Sequence, residues 1–199
     1  MFQLIPFIET AGYIGLFGII FAESGLLFGF FLPGDTLLFA AGLLAAKGYF
    51  SIEILLIVVS VAAITGDSVG YLIGKKVGPK LFNREDSLFF KREYVLRAQA
   101  FFQKHGKKTI LLARYIPIVR TFAPVVAGIG EMPYRTFLVF NVLGGLLWCS
   151  SIGLLGYFFG TKIPNVDTYI LPVVIGIFVL SFIPVIRQFM LSLRNRPKK

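Results

Sequence analysis

Arg114 and Arg120 stand six residues apart in a stretch, residues 109–130, that is otherwise almost wholly apolar, and Pro117 lies midway between them. A guanidinium at the centre of a bilayer costs at least about 2.5–3.5 kcal/mol on insertion scales. A chain that keeps two of them must pair them, hydrate them or apply them to a ligand. Acids equally out of place stand upstream: Glu23, Asp35 and Asp67, each in apolar sequence. Two guanidiniums in a dry cavity suit a phosphate, which accepts paired hydrogen bonds from the planar fork. Three carboxylates against two guanidiniums leave one negative charge in excess. Protonating an acid would make room for an anionic head group, a chemical basis for proton-coupled movement of a phosphorylated lipid. The bland alternative is a pair of structural salt bridges from the two arginines to Glu23 and Asp35. Asp35, after Pro33-Gly34, also reads as a helix cap. Asp67 reads equally as a structural hydrogen-bonding group near the end of its span.

The elements that must carry these charges follow from hydropathy. The chain has 199 residues, is 56% hydrophobic and has a mean hydropathy of +0.80. That composition indicates a multi-span membrane protein, and the length suits a single membrane domain covering residues 1–199. Apolar blocks fall near residues 11–33, 36–50, 51–74, 109–130, 134–160 and 168–187. The intervening segment 75–108 holds ten Lys or Arg, and the tail from Arg187 holds five. Within it, Tyr94, Ala98, Phe101 and Phe102 recur at helical spacing among charges, which predicts a basic amphipathic helix on the membrane surface. The positive-inside rule puts both basic segments, 75–108 and 188–199, in the cytoplasm of a plasma-membrane protein.

Three apolar blocks separate those two cytoplasmic segments, so one of them must fail to cross. Block 109–130 is the candidate, because it holds both arginines and also Pro117 and Pro124, each expected to break a regular helix. It reads as a re-entrant hairpin lining a cavity, since non-helical backbone at that depth needs protein or water around it. Pro33-Gly34 interrupts residues 11–50 in the same manner, which predicts a first re-entrant hairpin there. The alternative is one full crossing by 11–33 with a half-helix after it, and the N-terminal segment, which lacks Lys and Arg, does not decide between them. Blocks 51–74, 134–160 and 168–187 remain as transmembrane helices. An internal match supports two related halves: Gly70-Tyr71-x-x-Gly74-x-Lys76 recurs 86 residues later as Gly156-Tyr157-x-x-Gly160-x-Lys162, and Ala41-Gly42 recurs as Ala127-Gly128. Opposite orientations of the two copies make this an inverted repeat, a common transporter plan with the site at the repeat interface. Gly66, Gly70 and Gly74 form a row of small residues for close helix packing.

Other classes of function find little support. The single His105 sits among lysines in the basic segment, so histidine-dependent intramembrane hydrolysis lacks its base, and no catalytic residue is assigned. Cys149, alone, supports neither an intrachain disulfide nor a metal site, and reads as a small buried residue. No cofactor is implied. Nucleic-acid binding is not expected, because no soluble fold presents the basic patch. The partners expected are membrane lipids, above all a lipid phosphate, and protons; homo-oligomerisation is left open. A proton-coupled antiporter for small cations or drugs, with Glu23 and Asp35 as the exchange site, is the alternative to lipid translocation.

The residues now assembled resemble a known family. Glu23, then Pro33-Gly34-Asp35, then Arg114-x-x-Pro117-x-x-Arg120-x-x-x-Pro124-x-x-Ala127-Gly128 are similar to the pattern of the DedA family, bacterial relatives of the VTT-domain (SNARE-associated) membrane proteins. The resemblance covers nearly the whole chain. It implies an all-α membrane fold with two opposed re-entrant hairpins. It also implies lipid translocation of flippase or scramblase type, with Glu23, Asp35, Arg114 and Arg120 as the functional residues. Bacterial members are linked to recycling of undecaprenyl phosphate and to proton-dependent physiology, and eukaryotic relatives are phospholipid scramblases.

Overall fold

A computed structural model describes residues 4–26, 33–82 and 108–162, and every regular element among them is an α-helix. In chain order these are α1 (Leu4–Gly25), α2 (Gly34–Ala46), α3 (Ile52–Phe82), α4 (Lys108–Ala113), α5 (Pro117–Ile129) and α6 (Tyr134–Lys162). Two helical segments, Ile52–Lys76 of α3 and Tyr134–Lys162 of α6, are long and apolar enough to cross a membrane. Their outward residues, among them Ile57, Val61, Leu143, Leu147 and Phe158, are exposed and apolar, as a lipid-facing surface requires. Helices α2 and α5 have 13 residues each. That is about 20 Å at 1.5 Å per residue, too short to span a hydrocarbon core of about 30 Å. The amphipathic helix expected from Lys91 to Lys104, His105, and the expected span 168–187 with its basic tail lie outside the described residues.

Local chemistry explains where the helices start and stop. Pro33 is the N-cap of α2. Pro117 opens α5, where the proline ring's missing N–H has no intrahelical partner to lose. Ser51 precedes α3, its hydroxyl accepting from the Ile54 N–H at 3.3 Å, while its own N–H donates to the Tyr13 hydroxyl of α1 at 2.8 Å. Helices α2 and α5 end alike. The Tyr49 N–H donates to the Leu44 carbonyl and the Gly48 N–H to that of Ala45; after α5 the Met132 N–H donates to Ala127 and the Glu131 N–H to Gly128. This paired closure needs a left-handed residue after the cap. Gly48 supplies it at φ 82°, and Glu131 does so at φ 56°.

One expectation is corrected. Pro124 does not break a helix, because α5 continues through it to Ile129. An interior proline deletes the bond to the carbonyl four residues earlier, here that of Arg120, and crowds it. Burial of Ala123, Val125 and Ala127 on the neighbouring helices holds the segment helical across the gap.

Glycines set the packing. The row expected on α3 serves two neighbours: Gly66 abuts the backbone of Phe21 and Gly25 on α1, whereas Gly70 and Gly74 receive Pro124 and Val125 of α5. On the other side, Gly42 of α2 meets Gly153, Gly156 and Tyr157 of α6, and Gly156 faces the Phe39 carbonyl. So α2 lies on α6 much as α5 lies on α3, and these are the most extensive helix contacts. The contact of Gly42 with Tyr157 and that of Gly128 with Tyr71 are related by the 86-residue shift of the sequence match. The starts of α2 and α5, Gly34 and Pro117, are instead 83 residues apart, about one helical turn out of step with the glycines.

At Gly42 a Cβ would run into the backbone of α6, whereas at Gly15 it would meet nothing within 4 Å among the described residues. Gly42→Val is therefore expected to lower stability by at least about 1–3 kcal/mol, with Gly15→Val near wild type, as read by thermal unfolding in detergent. Glu131→Gly is expected to raise stability by about 0.5–1 kcal/mol through relief of the left-handed backbone.

Candidate functional site

Three helix ends converge on Arg120. It projects from the first turn of α5, Glu23 lies near the end of α1, and Asp35 lies in the first turn of α2. One guanidinium nitrogen of Arg120, Nη1, donates to Asp35 Oδ1 at 2.7 Å, and the other, Nη2, donates to Glu23 Oε1. Helix α6 closes the site with Trp148, whose indole N–H donates to the same Asp35 oxygen at 2.9 Å. The indole face lies 4.7 Å from the Arg120 guanidinium carbon, a cation–π distance. Gly34 makes this approach feasible, since a Cβ there would strike the Glu23 carboxylate. Asp35 suits the positive end of α2, but Arg120 faces the positive end of α5, so its two carboxylates must offset that as well as its burial.

A second cluster forms around Arg114, in the turn between α4 and α5. Its Nη2 donates to Asp67 of α3 and to the side-chain oxygen of Asn141 of α6. Asn141 in turn donates to the Ile64 carbonyl of α3 at 3.0 Å, so α3 and α6 are tied through it. The arginine stem crosses α6 where Gly144 and Gly145 leave room; a Cβ on Gly144 would sit 3.0 Å from Arg114 Cδ. Arg114 Nε and Nη1, Arg120 Nε and Asp67 Oδ1 are buried without a hydrogen-bond partner among the described residues.

All five charged residues singled out in the sequence are thus brought together, in two neighbouring groups. The bland alternative, salt bridges from the arginines to Glu23 and Asp35, left open which acid meets which arginine, and both of those bridges are made by a single arginine. Arg120 takes both acids and Arg114 takes Asp67. The break at Pro117 is the reason: it separates a turn residue from a helix residue and sends them to different neighbours. The groups also differ in access. Side-chain exposure is 2% for Arg114 and 3% for Asp67, against 42% for Asp35. Asn141, Gly144, Gly145 and Trp148 were not singled out as site residues. Their spacing of i, i+3, i+4 and i+7 on one face of an apolar helix was a readable signal, and an amide within a span was another.

Breaking the sealed pair leaves a buried charge alone, which costs about 3–5 kcal/mol. Asp67→Ala is expected to lose folded protein accordingly, and Asp35→Ala to unfold less readily because its side chain reaches the surface. Gly144→Leu, by blocking the stem of Arg114, should resemble Asp67→Ala. Thermal unfolding and monodispersity in detergent measure all three.

Comparison with known proteins gives a consistent picture. The VTT domain family model matches residues 32–158. An uncharacterized membrane protein of Mycobacterium leprae is 48% identical over 83% of this chain and 74% of its own length. Protein DedA of Escherichia coli is 48% identical over 86% of this chain and 79% of its own. Inner membrane protein YqjA of Escherichia coli is 36% identical over 85% and 80% respectively. No solved structure matches. With the family model covering well over half the chain and these relatives aligned along most of it, the protein belongs to the VTT-domain family of membrane proteins that includes DedA.

Proposed function

We propose that the protein is a membrane lipid translocase that moves a phosphate-bearing lipid, such as undecaprenyl phosphate or a phospholipid, across the plasma membrane. The observation that carries this reading is a buried arginine, Arg120, held by two carboxylates of which one, Asp35, is open to the surface. A phosphate arriving at Asp35 meets a fork-shaped donor at the positive end of α5, and displaces one carboxylate to take it. Arg114, sealed against Asp67 and Asn141, supports the same region as a neutral pair. Glu23, Asp35 and Asp67 against two arginines leave one negative charge in excess, so two protons taken up with a monoanionic head group would balance the site.

On this reading α1–α2 and α4–α5 are the two re-entrant hairpins of a single membrane domain, shaped by Pro33, Gly34 and Pro117. The short lengths of α2 and α5 support it, and so do their matching ends. The crossed packing of α2 on α6 and α5 on α3 supports an inverted repeat with the site at its interface. The basic segment 75–108 and the tail 188–199 then face the cytoplasm, next to anionic head groups worth about 1 kcal/mol per basic residue. The site is one of binding and release and holds no catalytic role.

Purified protein in liposomes containing labelled polyprenyl phosphate is expected to accelerate its appearance in the opposite leaflet over protein-free vesicles. Arg120→Lys keeps the charge but loses the fork, and is expected to slow transfer at least tenfold. Transfer no faster than in empty vesicles rejects the proposal, and a wild-type rate for Arg120→Lys rejects paired recognition of the phosphate.

The charge excess also favours a second reading, proton-coupled exchange of small cations or drugs at Glu23 and Asp35. It requires a cation-induced pH change inside the same vesicles, and a flat trace removes it.

A further inference from the structure

We infer that Trp148 is a positioning residue of this site: its indole retains Asp35 when the carboxylate releases Arg120, and so sets how easily an anionic head group takes the carboxylate's place. This rests on the lipid-phosphate reading above.

Asp35 Oδ1 accepts two hydrogen bonds at once, from Arg120 at 2.7 Å and from the Trp148 indole at 2.9 Å. An incoming phosphate oxygen that takes the Arg120 donor leaves Asp35 negative beside a second anion. The indole N–H is already within reach and compensates it. Indole is a donor with no acceptor, so it holds the carboxylate without competing for the donors of Arg120. Its π face instead steadies the guanidinium while the carboxylate is away. Trp148 itself is anchored. It is 2% exposed and packs with Leu38, Ala41, Ala63 and Cys149. Asp35 has the freedom to move, since its side chain is the one open to the surface.

Trp148→Phe keeps the aromatic face and removes the donor. Of these two donors Asp35 then keeps Arg120, and holds it harder. In liposomes of the full chain, initial transfer rates against the mole fraction of labelled polyprenyl phosphate should show a half-saturating fraction raised about tenfold, the scale of one hydrogen bond to a charged group. The effect on the rate at saturation should be much smaller. Wild-type half-saturation overturns the inference, and so does a fall confined to the maximal rate, which indicates a merely structural ring. Trp148 is also the chain's single tryptophan, so native fluorescence reports on this site even if the variant fails to fold. In detergent, polyprenyl phosphate should shift the wild-type emission saturably, and uncharged polyprenol should not. An unchanged emission overturns the inference while leaving translocation standing, whereas a wild type that moves no lipid overturns both.

Discussion

Arg120 between Glu23 and Asp35 is the interaction on which the arrangement turns. A guanidinium that reaches neither bulk water nor a counter-ion is untenable in an apolar domain, and the fold brings two carboxylates from separate helix ends to meet it. Satisfying that one group fixes the end of α1, the start of α2, the start of α5 and the face of α6 presenting Trp148. The same constraint explains Gly34, because only a residue without Cβ leaves room for the Glu23 carboxylate.

The second charged group behaves as a fixed counterpart. Arg114, Asp67 and Asn141 are sealed, and they tie the two long helices together through the Ile64 carbonyl. Glycines do the same for the short helices by letting α2 and α5 lie directly on α6 and α3. Among the described residues the result is a closely packed frame with the Arg120–Asp35 pair at its edge, the proposed point of exchange for another anion.

Much of the site was legible before the fold was known, for an energetic reason. Charges in apolar sequence are so unfavourable that their presence alone marks them, and Glu23, Asp35, Asp67, Arg114 and Arg120 all lie in the two clusters. The breaks at Pro33-Gly34 and Pro117 were legible for a steric reason. Pro124 misled because the loss of one backbone bond is small beside the packing that holds α5 on α3. Asn141 and Trp148 were passed over because an amide and an indole carry no formal charge, and so weigh little in a hydropathy reading.

The sequence by itself determined the apolar all-helical class, the two long spans, the helix interruptions and the identity of the buried charges, because hydropathy, proline and glycine act locally along the chain. Only the tertiary structure decided which acid meets which arginine and which pair stays open, and it alone brought α6 in to finish both clusters. Those outcomes depend on directions in space: how the break at Pro117 parts two side chains, and how closely glycines let one helix approach another.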